Sequence, residues 1–290
     1  MQTHTAQQST TGTLRTPGAE LYYEMRGNGP LVVLVGCPMD ASAFASLADL
    51  LAAEYTVVTT DPRGIRHSRV TDPDLDVNPE ALASDLSQLI GHLGVGPAVV
   101  FGSSGGAVTA LALAQNHPEH VRAVIAHEPP LEELLDDRDV LRASTSDVVA
   151  TYLAGDVAGA WAKFLAAANI TLTEEDMEQW QREPEPQAIA DERFFFEHTL
   201  RPTTWWHPEL SILANSPISI VIGIGTESTG QTCERTSNAL AAALGIDPVT
   251  FPGGHIGFVE QPEPFAAKLR DVLWLIPHGG SARAAGVTAS

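Results

Sequence analysis

Short, almost continuously apolar runs recur along the chain, with helical patterns in the gaps between them. This alternation limits the possible folds more than any other feature. The runs read PLVVLVG (30–36), YTVVTTD (55–61), PAVVFG (97–102), VRAVIAH (121–127), ISIVIGIG (218–225) and PVTFPG (248–253). A strand with one wet face alternates apolar and polar residues; these runs do not, so each is expected to be covered on both faces. In NPEALASDLSQLIGHLG, Asn78 is the expected N-cap, Pro79 the first helical residue and Gly94 the stop. Leu82, Leu86, Leu89, Ile90 and Leu93 fall on one face of that helix. Further helices are expected around Ala107–Asn116, Thr236–Leu244 and Pro264–Leu275, and TLRT with ELYYEMRG reads as an antiparallel edge hairpin. Strands alternating with helices imply right-handed crossovers and an α/β fold built on a mostly parallel sheet.

One segment interrupts the pattern. From Leu131 to about Leu210 there is no strand-like run, only helical stretches such as DVVATYL, AWAKFLAAA and DERFFFEHTL. This segment carries 17 acidic against 6 basic residues, more than half of the excess behind the chain's formal charge of -20. It is also dense in aromatics: Trp161, Phe164, Trp180, Phe194, Phe195, Phe196, Trp205 and Trp206. An all-helical insertion in an α/β sheet reads as a cap over the sheet's C-terminal edge; the alternative is a helical subdomain that only packs. The expected organisation is a core of 12–130 and 211–276, a cap of 131–210, and disordered tails at 1–11 and 277–290.

At 290 residues the chain can bury one sizeable core or two modest ones. Its acidity argues against nucleic acid and anionic membrane as partners, since both attract basic surfaces. No run of eighteen apolar residues occurs, and the opening MQTHTAQQSTTG has no apolar h-region, so neither a membrane span nor a secretory signal is expected. Cys37 and Cys233 are too far apart in sequence for metal-ligand spacing or a disulfide framework. With no phosphate-cradling loop or ligand cluster either, the expectation is a cytoplasmic protein with reduced thiols and no cofactor or metal. A homodimer stays open.

The chemistry concentrates at AVVFGSSGGAV (98–108). A serine hydroxyl is a weak nucleophile that needs a base, a group orienting that base, and donors for the developing oxyanion. In a G-x-S-x-G turn the chain reverses sharply from strand to helix and exposes the central serine at the sheet edge. Only Gly102, Ser103, Ser104, Gly105, Gly106 fits that register, which selects Ser104 over Ser103. His255 lies in a Gly-Gly turn after a strand, the kind of loop that carries a side chain to the same edge.

Several motifs in order resemble the α/β-hydrolases, in particular capped members of the esterase and haloperoxidase kind, over roughly 19–276. VVLVGCPMD resembles the strand and turn where the family usually has His-Gly, with Val35 in place of the histidine. DPRGIRHS resembles the D-x-R-G-x-G-x-S loop, with Arg66 where glycine is usual. FPGGHIGFVEQPEPFA resembles the histidine loop and its following helix. The resemblance implies an eight-stranded-type, mostly parallel sheet flanked by helices with an all-helical cap. It also implies His255 as catalytic base and the amides of Cys37 and Gly105 as oxyanion donors.

Two glutamates compete for the acid that orients His255. Most relatives place an aspartate three residues past a glycine after the next-to-last strand; here Thr226 occupies that place and Glu227 follows it. Glu128 ends the preceding strand, one helix and one strand after Ser104, and the zearalenone-hydrolysing lactonases resemble this chain in using a strand-end glutamate there. Glu128 is preferred and Glu227 is the alternative. Met39, His127, Trp205 and Trp206 are candidate pocket residues, and Arg63 is expected to brace its loop. The leading expectation is a serine hydrolase acting on a small hydrophobic ester or lactone. The alternatives are a C–C bond hydrolase or perhydrolase using the same triad, or a ligand-binding protein of this fold with weak turnover.

Overall fold

The computed structural model describes residues 9–170 and 185–276. The chain opens with β1 (Thr10–Thr16) and β2 (Ala19–Arg26), the hairpin expected at the edge. Thr10 and Thr11 were expected in a disordered tail, but they pair with Met25 and Glu24 and so belong to β1. The remaining tail residues (1–8 and 277–290), and Trp180 of the aromatic set, lie outside the described residues.

β3 (Leu31–Val35) and β4 (Thr56–Thr60) are buried at every position, the burial that their unbroken apolar runs require. A two-residue strand, β5 (Arg69–Val70), pairs with β2. β6 (Ala98–Ser103), β7 (Val121–His127), β8 (Ser219–Gly225) and β9 (Val249–Phe251) complete the sheet. The order is β1-β2-β4-β3-β6-β7-β8-β9 with β5 beside β2; β3, β4 and β6 to β9 run parallel, while β2 runs antiparallel to β4 and to β1.

That order places the site. From β3 the chain moves one way to β4, then crosses back to β6 on β3's other side. The sheet therefore has a switch point between β3 and β6, where the connections leaving the two strands diverge and leave a crevice at their C-terminal ends.

Helices cover both faces. On one lie α1 (Ala45–Leu51) and a C-terminal helix whose Phe265, Leu269 and Leu273 pack on the sheet with Leu47 and Leu51. On the other lie α2 (Pro79–Leu93) and α3 (Gly105–Asn116), through Leu86, Leu89, Ile90 and the alanine-rich face of α3. The ends of α2 follow its sequence: the Asn78 side chain accepts from the Ala81 amide, and Gly94 closes the helix in the left-handed conformation.

Residues after β7 form α4 (Arg138–Leu153), α5 (Val157–Ala168), α6 (Pro186–Phe194), a π-helical turn (Phe195–Thr199) and α7 (Leu200–Thr204). They bury a small core of their own from Val148, Val149, Ala160, Phe195, Phe196 and Leu200. α8 (Leu210–Ala214) and α9 (Thr232–Leu244) return to the sheet, and α10 (Gly257–Glu260) and α11 (Pro262–Leu275) end the described chain. None of the described helices is long and apolar enough to cross a membrane.

Candidate active site

Ser104 sits between β6 and α3 with φ 56° and ψ -127°, outside the ordinary regions for a residue with a side chain. Among the described residues, four non-glycine residues have positive φ, and Ser104 and Glu128 are two of them. Strain of this kind persists only where the surroundings enforce it, and it collects at functional sites. Here the glycines allow the enforcement. A Cβ at Gly102 would lie 2.2 Å from the Gly106 carbonyl oxygen, and one at Gly106 would lie 2.2 Å from that of Val35. The turn is thus pressed against β3 closely enough that no larger residue fits.

Glu128 follows β7 directly, with φ 52° and no exposed surface. Its Oε1 accepts from the Gly225 amide at 2.8 Å and its Oε2 lies 2.6 Å from His255 Nδ1. Burial alone would push this carboxyl up. The His255 hydrogen bond, with the nearby His255 and His127 imidazoles, outweighs it and holds Glu128 at about 2. An ionised Glu128 can only accept, so Nδ1 of His255 carries the proton and Nε2 is left as the basic nitrogen. Glu227, the alternative acid, is exposed and accepts from Gln261 Nε2 at 3.2 Å instead.

Ser104 and His255 line one cavity of about 110 Å³, together with Cys37 and Gly105. Gly105 is the first residue of α3, so its N–H has no acceptor within the helix. The backbones of the two expected oxyanion donors are close: a Cβ at Gly105 would lie 2.6 Å from the Cys37 carbonyl oxygen. Burial pushes the Cys37 thiol up to about 12, and the Cys233 thiol is also raised by burial. Both are protonated at neutral pH, so neither competes with Ser104 as a nucleophile. Among the described residues no group of three or more His, Cys, Asp or Glu is placed to hold a metal ion.

The four expected pocket residues are not part of the cavity's lining. His127 is fully buried, ringed by Phe101, Phe251 and Phe265, and burial drives it down to about 4. Trp206 is held in the core, where its indole N–H donates to Glu80 Oε1 at 2.7 Å. Trp205 is stacked by the guanidinium groups of Arg142 and Arg201, and Met39 packs on the core beside α1. Arg63 does brace its loop: Nε and Nη2 reach Asp85 of α2 at 2.7 and 2.6 Å.

The walls come instead from residues not named as pocket candidates, although Phe164 and Phe195 belong to the aromatic set of the insertion. Pro38, Pro130, Val148, Phe164, Phe195 and Leu200 supply hydrocarbon; Thr145, Thr203, Thr204 and Thr232 supply hydroxyls; Glu132 supplies a carboxyl. One signal was available for Glu132, because it stands four residues beyond Glu128 on the chain leaving the same strand end.

Residues 29–184 match the family model described as alpha/beta hydrolase fold. The chain is 32% identical to the uncharacterized hydrolase YraK of Bacillus subtilis (strain 168), over 90% of this chain and 95% of that protein. It is 29% identical to a zearalenone hydrolase of Bionectria ochroleuca, over 89% and 95%. Among solved structures, the enol-lactonase of Burkholderia xenovorans LB400 superposes with a TM-score of 0.67 at 20% identity, covering 91% of this chain and 100% of that one.

Proposed function

Since the chain belongs to the α/β-hydrolase fold family and is a hydrolase of that fold, we propose that it cleaves carboxylic esters or lactones through an acyl-enzyme on Ser104. The observation that carries this reading is the buried Glu128–His255 hydrogen bond, 2.6 Å long, whose imidazole faces the same cavity as Ser104. The zearalenone hydrolase among the relatives supports hydrolysis as the class of reaction.

In this mechanism the Ser104 hydroxyl adds to the substrate carbonyl carbon while His255 Nε2 takes its proton. Glu128 holds the imidazole in the required tautomer and stabilises the imidazolium that forms. The tetrahedral oxyanion is held by the amides of Gly105 and Cys37, each contributing roughly 100-fold or more in rate. Collapse expels the alkoxide, which takes the proton from His255. A water deprotonated by His255 then attacks the acyl-enzyme, and collapse of the second intermediate returns Ser104 and releases the acid. The hydrocarbon of the wall suits a small, largely apolar substrate. The helices of residues 131–210, five of whose residues line the cavity from α4 and α5 alone, act in this reading as the cap.

The test is hydrolysis of p-nitrophenyl butyrate and of a medium-chain lactone by the wild type and by Ser104→Ala, with intact-mass detection of an acylated Ser104. Turnover in the wild type, its loss in a Ser104→Ala variant that melts normally, and an acyl adduct are expected. Activity that persists in Ser104→Ala overturns the mechanism.

A further inference from the structure

Among the described residues lining the cavity beside Ser104, Glu132 is the one that carries a carboxyl group. The mechanism above does not use it. The strand end that delivers Glu128 also delivers Glu132, through Pro129 and Pro130, and its stem is fixed by two backbone bonds. These run from Leu131 N–H to the Pro129 carbonyl at 2.9 Å and from Glu132 N–H to the Pro130 carbonyl at 3.0 Å.

The group is 7% exposed, in a cavity whose neighbouring walls include Val148, Phe164, Phe195 and Leu200. A carboxyl placed in such surroundings is costly unless something binds it. Its side-chain partner among the described residues is the Thr145 hydroxyl, at 3.3 Å. Arg142, the cation whose field reaches it, is bonded to Glu133 and lies over the Trp205 ring. Burial therefore pushes Glu132 up to about 7; Glu133 and Asp137 add to the rise, and Thr145 and Arg142 oppose it.

We propose that Glu132 is a specificity-determining residue that hydrogen-bonds a hydroxyl group of the substrate remote from the scissile bond, so that uncharged, hydroxylated esters or lactones are preferred. The inference rests on the reading of this cavity as the substrate site. A hydroxyl is the substrate group that suits Glu132 in either protonation state: a carboxylate accepts from it, and a carboxylic acid can donate to it or accept from it. A substrate carboxylate would meet like charge once Glu132 ionises. A plain hydrocarbon chain would desolvate Glu132 and leave it only Thr145. Sites built around a buried polar group discriminate strongly against analogues that leave that group unpaired.

Two measurements on the full chain test this. In the first, kcat/KM is compared for p-nitrophenyl hexanoate, its 6-hydroxy counterpart and the monoester of adipic acid, in the wild type, Glu132→Gln and Glu132→Leu. The wild type is expected to favour the hydroxy ester by about tenfold. Glu132→Gln, whose amide still serves a hydroxyl, keeps that preference and gains activity on the adipate ester. Glu132→Leu loses the preference while still cleaving the hexanoate.

The second measurement needs no turnover. Ligand-observed NMR gives the affinities of 4-butylphenol and 4-butyltoluene for the same three proteins. Glu132→Leu is expected to weaken the phenol about tenfold and to leave the hydrocarbon unchanged. An equal effect of Glu132→Leu on both ligands, or an unchanged hydroxy-ester preference, overturns the inference. If the wild type cleaves no ester but binds the phenol through Glu132, the ester reading fails and the Glu132 contact stands.

Discussion

Glu128, not the nearer-in-sequence Glu227, holds His255: Glu128 Oε2 lies 2.6 Å from Nδ1, while Glu227 faces solvent beside Gln261. Strand order explains the choice. β7 lies between β6 and β8, so a residue leaving β7 emerges under the sheet's C-terminal edge, where the Gly225 amide takes its second oxygen. Glu227 lies two residues beyond β8 and has already turned outward. Glu128→Gln is expected to lower kcat by about 1,000- to 10,000-fold, because the amide no longer fixes the imidazole tautomer. Glu227→Gln should leave kcat within about twofold, as exposed charges of this kind contribute little. Steady-state kinetics on the two variants checks this, and a larger loss in Glu227→Gln would reverse the assignment.

The two buried glutamates of the site oppose each other in pH dependence. Glu128 is held at about 2, below its ordinary 4.5, so its stabilisation is complete above pH 4.5 and is lost as the pH falls from 4.5 towards 2. Glu132 is pushed up to about 7 from 4.5, so between those values the folded chain binds a proton that the unfolded chain has released. Its share of stability is present below pH 4.5 and is lost as the pH rises through 7. Glu132→Gln has no such slope. Urea unfolding is therefore expected to show Glu132→Gln gaining on the wild type between pH 4.5 and 8, by about 3 kcal/mol at the upper end. Parallel stability curves would show that Glu132 does not titrate in this window.

The sheet was readable in the sequence because burial on both faces removes polar residues from a strand, and β3, β6 and β7 obey that closely. The serine turn was readable because close backbone contact, with Gly106 at position 102 and with Val35 of β3 at position 106, excludes every residue but glycine there. The cavity wall was not, because it forms where α4 and α5 of the 131–210 segment meet the sheet edge, and no local pattern encodes that docking. His127 could have been placed correctly. Strand alternation puts it on the same face of β7 as Ala123 and Ile125, which pack in the core beside α1 and α11. Trp206 could not, since its partner Glu80 lies 126 residues away.

The close packing of the serine turn at Gly106 and the open space at Gly91 of α2 predict opposite effects of alanine at the two glycines. Gly106→Ala would set a methyl group 2.2 Å from the Val35 carbonyl oxygen, a backbone atom that cannot swing aside. It is expected to lower Tm by about 10 °C or more. Gly91, inside α2, has nothing nearer than 3.5 Å to an added Cβ. There Gly91→Ala should raise stability by up to about 1 kcal/mol, the gain of alanine over glycine within a helix. Thermal melts of the two variants side by side check both signs.

Asp61 tethers the loop that carries Cys37. It is 1% exposed; its Oδ1 accepts from the Ala41 amide at 2.8 Å, and its Oδ2 from the His67 amide at 3.0 Å. The His67 ring also bonds Oδ2, at 2.9 Å, but its side chain is 59% exposed. Asp61 follows β4 and Ala41 lies four residues past Cys37, so the carboxylate ties the far end of the 36–41 loop to the next strand. Asp61→Ala leaves the buried Ala41 amide and the half-buried His67 amide without their acceptor and frees the loop that presents the Cys37 N–H. In the proposed mechanism the Cys37 N–H is an oxyanion donor; because such a donor costs about 100-fold when lost outright, its partial displacement is expected to lower kcat about tenfold, with a smaller change in KM. His67→Ala removes only the exposed ring and keeps both amide bonds, so its kcat should match the wild type. If His67→Ala fell as far as Asp61→Ala, the imidazole rather than the backbone tether would be holding the loop.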